Sequence, residues 1–91
     1  MTKSGFIPLE HIVATQLDDG DGVLIDLNTK QYHQLNETAM LIWRALENGY
    51  PFERIVAEIM RVYEVNNDHA LSSAARLLKE FQKRKLVRLA E

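Results

Sequence analysis

The pattern of apolar and polar positions changes its period at Asn36. Before this residue, apolar and polar side chains alternate as on a half-buried strand. After it, apolar residues recur at the spacing of one helix face, at Ala39, Ile42, Trp43 and Leu46. Asn36 has a side-chain oxygen that can accept a backbone N–H of the first helical turn, and Glu37 places negative charge near the positive end of the helix dipole. The sequence therefore predicts a strand that runs directly into a capped helix.

Three strands are predicted ahead of this helix. Residues 11–17 alternate weakly, residues 23–27 alternate clearly, and Lys30 to Leu35 forms the third strand. An Asp- and Gly-rich stretch at 18–22 and the pair Asn28-Thr29 are turns by composition. Short turns between consecutive strands predict an antiparallel meander with the third strand at a sheet edge.

Three helices are predicted after the strands. The first ends at Asn48-Gly49, where glycine can take the left-handed conformation, and Pro51 suits the start of the second. The second helix carries a continuous apolar stripe, at Phe52, Ile55, Val56, Ile59, Met60 and Tyr63. The third is capped by Asn66, Asn67 or Asp68 and runs to about Arg84. Its apolar residues cover an arc of roughly 160°, and they are Ala70, Leu71, Ala74, Ala75, Leu77, Leu78 and Phe81. Part of that face is expected to remain available for a ligand.

Three strands followed by three helices predict an α+β, winged helix-turn-helix-like fold. With 91 residues, the chain is expected to form a single domain, 1–91. Residues 1–8 are expected to form a flexible polar entry unless their few apolar side chains dock. Residues 86–89 are expected to pack as a final strand or as coil.

Composition removes several function classes. The chain has no cysteine, which excludes a disulfide framework, a thiolate zinc site and a cysteine nucleophile. Its formal net charge of -2 is nearly balanced and says little about partners. No signal-peptide pattern and no run of roughly 20 apolar residues is present, so we expect a cytoplasmic protein with no membrane partner.

No catalytic or metal site is predicted. The histidines at 11, 33 and 69 lack metal-ligand spacing, and the aspartates of residues 18–21 lack the later ligands of a calcium loop. Ser72 and Ser73 lie on a predicted helix without a nearby base. We therefore expect a protein that is not an enzyme and that uses no cofactor and no metal.

Two features remain as candidate binding surfaces. The third strand is either a protected sheet edge, with Lys30 as protection, or a template to which an extended peptide adds as the next strand. The end of the third helix is basic, with Arg76, Lys79, Lys83, Arg84, Lys85 and Arg88. That face is either solvated or contacts nucleic acid, but Asp68 stands at the end where a recognition helix meets phosphates. A nucleic-acid partner is therefore the alternative and not the prediction.

The chain resembles the PqqD-like family, the leader-peptide recognition domains of ribosomally made, modified peptide pathways. The resemblance covers approximately Val23 to Leu89. It rests on Tyr32-x-x-Leu35-Asn36-x-x-Ala39-x-x-Ile42-Trp43, Gly49, Ile55, Ile59, Tyr63-x-Val65, Leu78-x-x-Phe81 and Leu86-Val87. Within the family, Tyr32-His33-Gln34-Leu35-Asn36 is most similar to the free-standing proteins of lasso-peptide pathways. The pyrroloquinoline-quinone pathway member is the neighbouring possibility.

The resemblance implies a cleft between the third strand and the third helix, where a precursor's leader peptide adds a strand to the sheet. It also implies a non-catalytic role, in which the bound precursor is delivered to a maturation enzyme, in lasso systems a leader peptidase and then a cyclase. On this reading, the backbone of Lys30, Gln31, Tyr32, His33 and Gln34 pairs with the leader. Apolar contacts come from Leu71, Ala74, Ala75 and Leu78, and Lys79 pairs with an acidic leader residue.

Two positions depart from the family pattern. Many relatives have an acidic residue where Ser73 stands and a glycine where Lys85 stands. The first departure changes the charge of the third helix, and the second puts its end in doubt. Two alternatives stay open: a winged-helix nucleic-acid binder, and a structural subunit of a larger enzyme. A large apolar surface beyond the cleft favours the subunit.

Overall fold

A computed structural model describes residues 5–89, which form an α+β fold. The strands are β1 (Phe6–Pro8), β2 (Ile12–Gln16), β3 (Gly22–Asp26), β4 (Gln31–Leu35) and β5 (Val87–Leu89). The helices are α1 (Glu37–Glu47), α2 (Phe52–Tyr63) and α3 (Asn67–Lys83). The predicted meander followed by three helices is confirmed.

The meander is a three-stranded antiparallel sheet in the order β2-β3-β4. Its register places Leu24 of β3 opposite Ala14 on one side and opposite His33 on the other. The strand β4 therefore lies at one edge, as predicted, and β2 lies at the other. The predicted start of the third strand is wrong by one residue. Lys30 belongs to the preceding turn, where its φ is +65° and its N–H donates to the Asp26 carbonyl oxygen at 2.7 Å.

A second, two-stranded sheet joins β1 to β5. Phe6 is opposite Leu89, and Pro8 is opposite Val87, in antiparallel register. The pairing continues where the Leu9 N–H donates to the Leu86 carbonyl oxygen at 3.1 Å. Of the two possibilities for Phe6–Pro8, the structure has the docked one, because their backbone pairs with β5 and Phe6 packs against the core. The remainder of that prediction, at residues 1–4, lies outside the described residues. At the other end, the structure selects a strand over coil.

The helix α1 starts and ends where the sequence predicts. The Asn36 side chain accepts the Ala39 N–H at 2.9 Å, and Gly49 has a φ of +74° just beyond the helix. Every residue of the predicted apolar face is buried, and Met40 and Ala45 are buried with them. Because α1 is capped at Asn36 and buried along one side, its position fixes the direction in which β4 runs into it.

The other two helices complete the core. In α2 the buried residues are Ile55, Val56 and Ile59. The cap of α3 is Asn66, whose side chain accepts the His69 N–H at 2.8 Å. The buried residues of α3 are Ala70, Ala74, Leu78 and Phe81. No helix within residues 5–89 is long and apolar enough to cross a membrane.

Candidate functional site

The backbone orientation of β3 determines which groups of β4 are free. The Asp26 carbonyl oxygen accepts the Lys30 N–H, so Asp26 directs its backbone groups toward β4. On the opposite side, the Leu27 N–H donates to the His11 carbonyl oxygen at 2.9 Å, so Leu27 faces β2. Because these directions alternate along an antiparallel strand, Leu24 and Gly22 also direct their backbone groups toward β4.

This alternation exposes two residues of β4. Gln31, His33 and Leu35 stand opposite the three β3 residues that face them and pair with them. Tyr32 and Gln34 therefore direct their N–H and C=O groups away from the sheet. We call these outward groups the β4 edge. They offer two donors and two acceptors to an added strand.

The side chains of β4 divide between two environments. Leu35 is buried and His33 is half-buried, on the face of the sheet that packs against the helices. Tyr32 lies on the opposite face and is 72% exposed. The alternation in the sequence does not show which face of the sheet carries the Tyr32 side chain. The strand register and the exposure of Tyr32 in the structure do show it.

An apolar surface covers the side of the sheet that faces away from the helices. The register aligns Val13, Ile25 and Tyr32 in one row across the three strands, with Val23 beside them. Val13 is 43% exposed, and Ile25 and Val23 are half-buried. We call these four residues the outer sheet face. Sequence reasoning missed it, although a signal was present in residues 23–25, which are apolar on both sides of the strand.

A buried carboxylate organises the turn before β4. Asp26 is the one buried charged side chain among residues 5–89. Its Oδ1 accepts the Asn28 N–H at 2.9 Å and the Thr29 N–H at 3.1 Å, and His11 Nε2 lies 3.7 Å away. The Thr29 N–H, followed by the Asn28 N–H and the His11 charge, lowers the pKa of Asp26 below its ordinary value, against the opposing effect of burial. Sequence reasoning missed Asp26 because its pattern indicated only a strand residue.

The predicted residues of α3 separate into a surface set and a buried set. Leu71 is 38% exposed, and Ala75 and Lys79 are exposed on successive turns. We call these three residues the α3 margin. Ala74 and Leu78 instead lie in the core, so the expectation that they offer apolar contacts to a ligand is corrected. Core neighbours already cover both side chains, and part of the apolar arc remains uncovered as expected.

The charges of α3 are unevenly distributed. Asp68 occupies the first turn, whereas Arg76, Lys79 and Lys83 are exposed toward the other end. Arg84 is paired with Glu80, with 3.0 Å between Nε and Oε2. The basic half of the helix therefore borders the end of the α3 margin that Lys79 occupies.

A cavity that is partly open to solvent lies elsewhere in the described part of the molecule. It has a volume of about 320 Å³ and lies between α1, α2 and the turn that follows β2, with Met40, Tyr63 and Gly20 in its lining. It contains no predicted site residue. The β4 edge and the α3 margin are instead open surfaces, which suits an extended polymer better than a small enclosed ligand.

Metal binding is unsupported at these positions. Among residues 5–89, no three His, Cys, Asp or Glu side chains are grouped so as to hold a metal ion.

Comparisons with known proteins agree with this arrangement. Residues 21–87 match the sequence profile of the family described as coenzyme PQQ synthesis protein D (PqqD). None of the curated proteins compared with the chain matches it.

Two solved structures are similar to the whole described fold. One is TbiB1 in complex with the TbiA(beta) leader peptide, with a TM-score of 0.84 and 26% identity, covering 93% of this chain and 99% of that chain. The other is lasso peptide synthetase B1 complexed with the leader peptide, with a TM-score of 0.81 and 28% identity, covering 92% and 98% respectively. Each of these similar proteins was solved with a leader peptide.

Proposed function

This chain belongs to the PqqD family, and we propose that it captures the leader peptide of a ribosomally synthesised precursor and has no catalytic activity of its own. The observation that carries this proposal is the β4 edge, where Tyr32 and Gln34 direct backbone groups outward. Strand addition uses such groups for affinity, while side-chain pockets give specificity. The leader complexes of the two similar structures support the same role.

The α3 margin supplies the specificity in this proposal. We place the leader between the β4 edge and the margin, in a winged helix-turn-helix-like arrangement. Leu71 contributes apolar surface, and Ala75 leaves room for a larger leader side chain. Lys79 pairs with an acidic leader residue at the basic end of the helix. Gln31 and His33 support the strand from the inside, because their backbone groups pair with β3.

We assign the precursor to lasso-peptide biosynthesis, with a leader peptidase and then a cyclase acting on the delivered peptide in the cytoplasm. The similarity to lasso peptide synthetase B1 supports this pathway. A PqqD-type chaperone of the pyrroloquinoline-quinone precursor is the alternative, because the matching family profile carries that name.

The outer sheet face is the surface we assign to the maturation enzyme. It exposes apolar area on the side away from the helices, and Tyr32 belongs both to this face and to the β4 edge. Exposed apolar surface of this kind commonly marks a protein interface. An enzyme docked there contacts the sheet that the leader extends. It thus receives a bound precursor in preference to a free one.

Titration with a leader peptide tests the binding proposal. The probe is the fluorescein-labelled N-terminal half of the peptide encoded by the short reading frame beside this gene, followed by fluorescence polarisation. We expect a dissociation constant in the nanomolar to micromolar range and loss of binding to a scrambled peptide of the same composition. Absence of binding, together with salt-dependent retention on duplex DNA, contradicts the proposal and favours the nucleic-acid alternative.

A pair of valines separates enzyme docking from leader capture. Val13 on the outer sheet face and Val62 on α2 are both 43% exposed. We expect Val13→Lys to retain leader affinity but to slow leader removal by a leader peptidase of a lasso-peptide pathway, and Val62→Lys to leave both unchanged. Equal cleavage rates for the two variants place the enzyme elsewhere.

A further inference from the structure

We infer that Asp26 is the positioning residue of the leader-binding edge. It holds the turn at residues 27–30 in the one conformation that makes Tyr32 and Gln34 face outward. This inference rests on the proposed function and adds a specific residue that the leader itself does not touch. It concerns how the β4 edge is built before any peptide arrives.

A chain of short contacts connects Asp26 to the first residue of β4. The Asp26 carboxylate accepts the N–H groups of Asn28 and Thr29 at 2.9 and 3.1 Å. The hydroxyl oxygen of Thr29 then accepts the Gln31 N–H at 3.3 Å. The N–H groups of Asn28, Thr29 and Gln31 are thus held by side-chain acceptors, and the Lys30 N–H between them is held by a backbone acceptor.

Lys30 shows why the turn needs this support. Its φ of +65° lies in the left-handed region, which residues with a β-carbon adopt at a cost and glycine adopts freely. The Asp26 contacts hold the two preceding residues and so keep Lys30 in that region.

Loss of the turn geometry changes which groups β4 presents. A strand that slips by one residue exchanges its two faces and redirects its backbone groups. Tyr32 and Gln34 then turn toward β3, and the outward donors are no longer at the positions that the leader pairs with. Loss of the turn geometry therefore lowers the affinity for the leader as well as the stability of the protein.

Direct contact between Asp26 and the leader is unnecessary in this mechanism. The carboxylate is buried, and its polar contacts are with the turn and His11. Its backbone groups point to β4 and are occupied by the hairpin. Asp26 therefore acts through the turn.

The test is a set of variants titrated with the labelled leader half described above. Asp26→Ala removes the acceptor, and Asp26→Asn retains an oxygen that accepts the same N–H groups. Lys30→Gly, made alone and together with Asp26→Ala, supplies the left-handed residue without strain. Asp19→Ala is the matched control, because Asp19 Oδ1 accepts the Asp21 N–H at 3.1 Å in the hairpin turn joining β2 to β3.

We expect Asp26→Ala to weaken leader binding by about tenfold or more. Asp26→Asn should bind with an affinity within about threefold of the wild type. In the double variant, Lys30→Gly should restore most of the affinity that Asp26→Ala loses. Asp19→Ala keeps wild-type affinity. Hydrogen exchange of the Gln31 and His33 amides reports the turn directly, and we expect faster exchange in Asp26→Ala than in the double variant.

Three results overturn the inference. The first is wild-type affinity in Asp26→Ala. The second is a loss in a folded Asp26→Ala variant that Lys30→Gly does not restore. The third, which applies even if Asp26→Ala fails to fold, is an Asp26→Asn variant that folds but loses affinity tenfold. A wild-type protein that binds no leader refutes the proposed function instead, so the two failures are distinguishable.

Discussion

Trp43 of α1 and Phe81 of α3 pack edge to face at the centre of the core. Their ring centroids are 5.5 Å apart and their planes are inclined at 87°. Both side chains are essentially inaccessible, and Trp43 satisfies its indole N–H by donating to Glu47 Oε2 at 3.0 Å. This contact joins the helix that follows β4 to the helix that carries the α3 margin. It therefore fixes the relative position of both proposed leader-binding surfaces.

Truncation of Phe81 is predicted to be much more costly to stability than truncation of Leu71 on the same helix. We expect Phe81→Ala to lower the free energy of unfolding by about 3–5 kcal/mol, because it leaves a cavity beside Trp43. We expect Leu71→Ala, at a 38% exposed position, to cost less than about 1 kcal/mol and to weaken leader binding instead. Urea unfolding and leader titration of both variants check this. Equal stability losses contradict the assignment of Leu71 to the surface.

Proline substitution is predicted to distinguish the two edges of the sheet. Tyr32→Pro or Gln34→Pro deletes an outward N–H of the β4 edge, so we expect leader affinity to fall on the order of tenfold. Ala14→Pro is the control, because Ala14 stands opposite Leu24, which faces β4, so its own N–H points outward from β2. Circular dichroism confirms folding of each variant. Strand addition at β4 is wrong if both β4 variants fold and bind as tightly as Ala14→Pro.

Reversal of the charge at Lys79 is predicted to have a smaller, salt-sensitive effect. An exposed ion pair contributes roughly 0.2–1 kcal/mol, so we expect Lys79→Glu to weaken leader binding by about two- to fivefold at low salt. The difference from wild type should shrink in 0.5 M salt, where the Debye length is only about 4 Å. Arg76→Glu makes the same charge change about 140° around α3 from Leu71, farther from the α3 margin than Lys79, and should have less effect. A salt-independent loss at Lys79 indicates disrupted packing.

The acid stability of the protein is predicted to depend on Asp26. Its pKa is lower in the folded state than the unfolded value of about 3.9, because the carboxylate accepts the Thr29 and Asn28 N–H groups. The stabilisation is therefore present in full above about pH 4 and is lost as the pH falls through the folded pKa. We expect the difference in unfolding free energy between wild type and Asp26→Asn to shrink as the pH falls below about 4. Parallel curves across the whole range contradict this assignment.

The sequence predicts those elements whose local signals agree with their packing. Asn36 and Gly49 mark the two ends of α1 through cap chemistry, and both take the expected conformation. By contrast, β1 and β5 have three residues each, which is too short for a period to emerge from Phe6–Pro8 or Val87–Leu89. Their pairing depends on chain segments about 80 residues apart in sequence. No local pattern contains that information.

The candidate site shows the same limit. The β4 edge is predictable because turn lengths place the third strand last in the meander. Which of Ala74 and Ala75 is exposed cannot be predicted from the sequence, since alanine is compatible with both a buried and an exposed position. Only helix packing decides it. Lys30 is misassigned because a positive φ is unusual for lysine, so composition favours extending the strand.

The pairing of β1 with β5 also constrains how the chain matures on the ribosome. The meander and the first two helices are built from contacts that are close in sequence, so they can form while synthesis continues. The segment Phe6–Pro8 is synthesised about 80 residues before its partner Val87–Leu89. We therefore expect β1 to pair with β5 only after β5 has been translated.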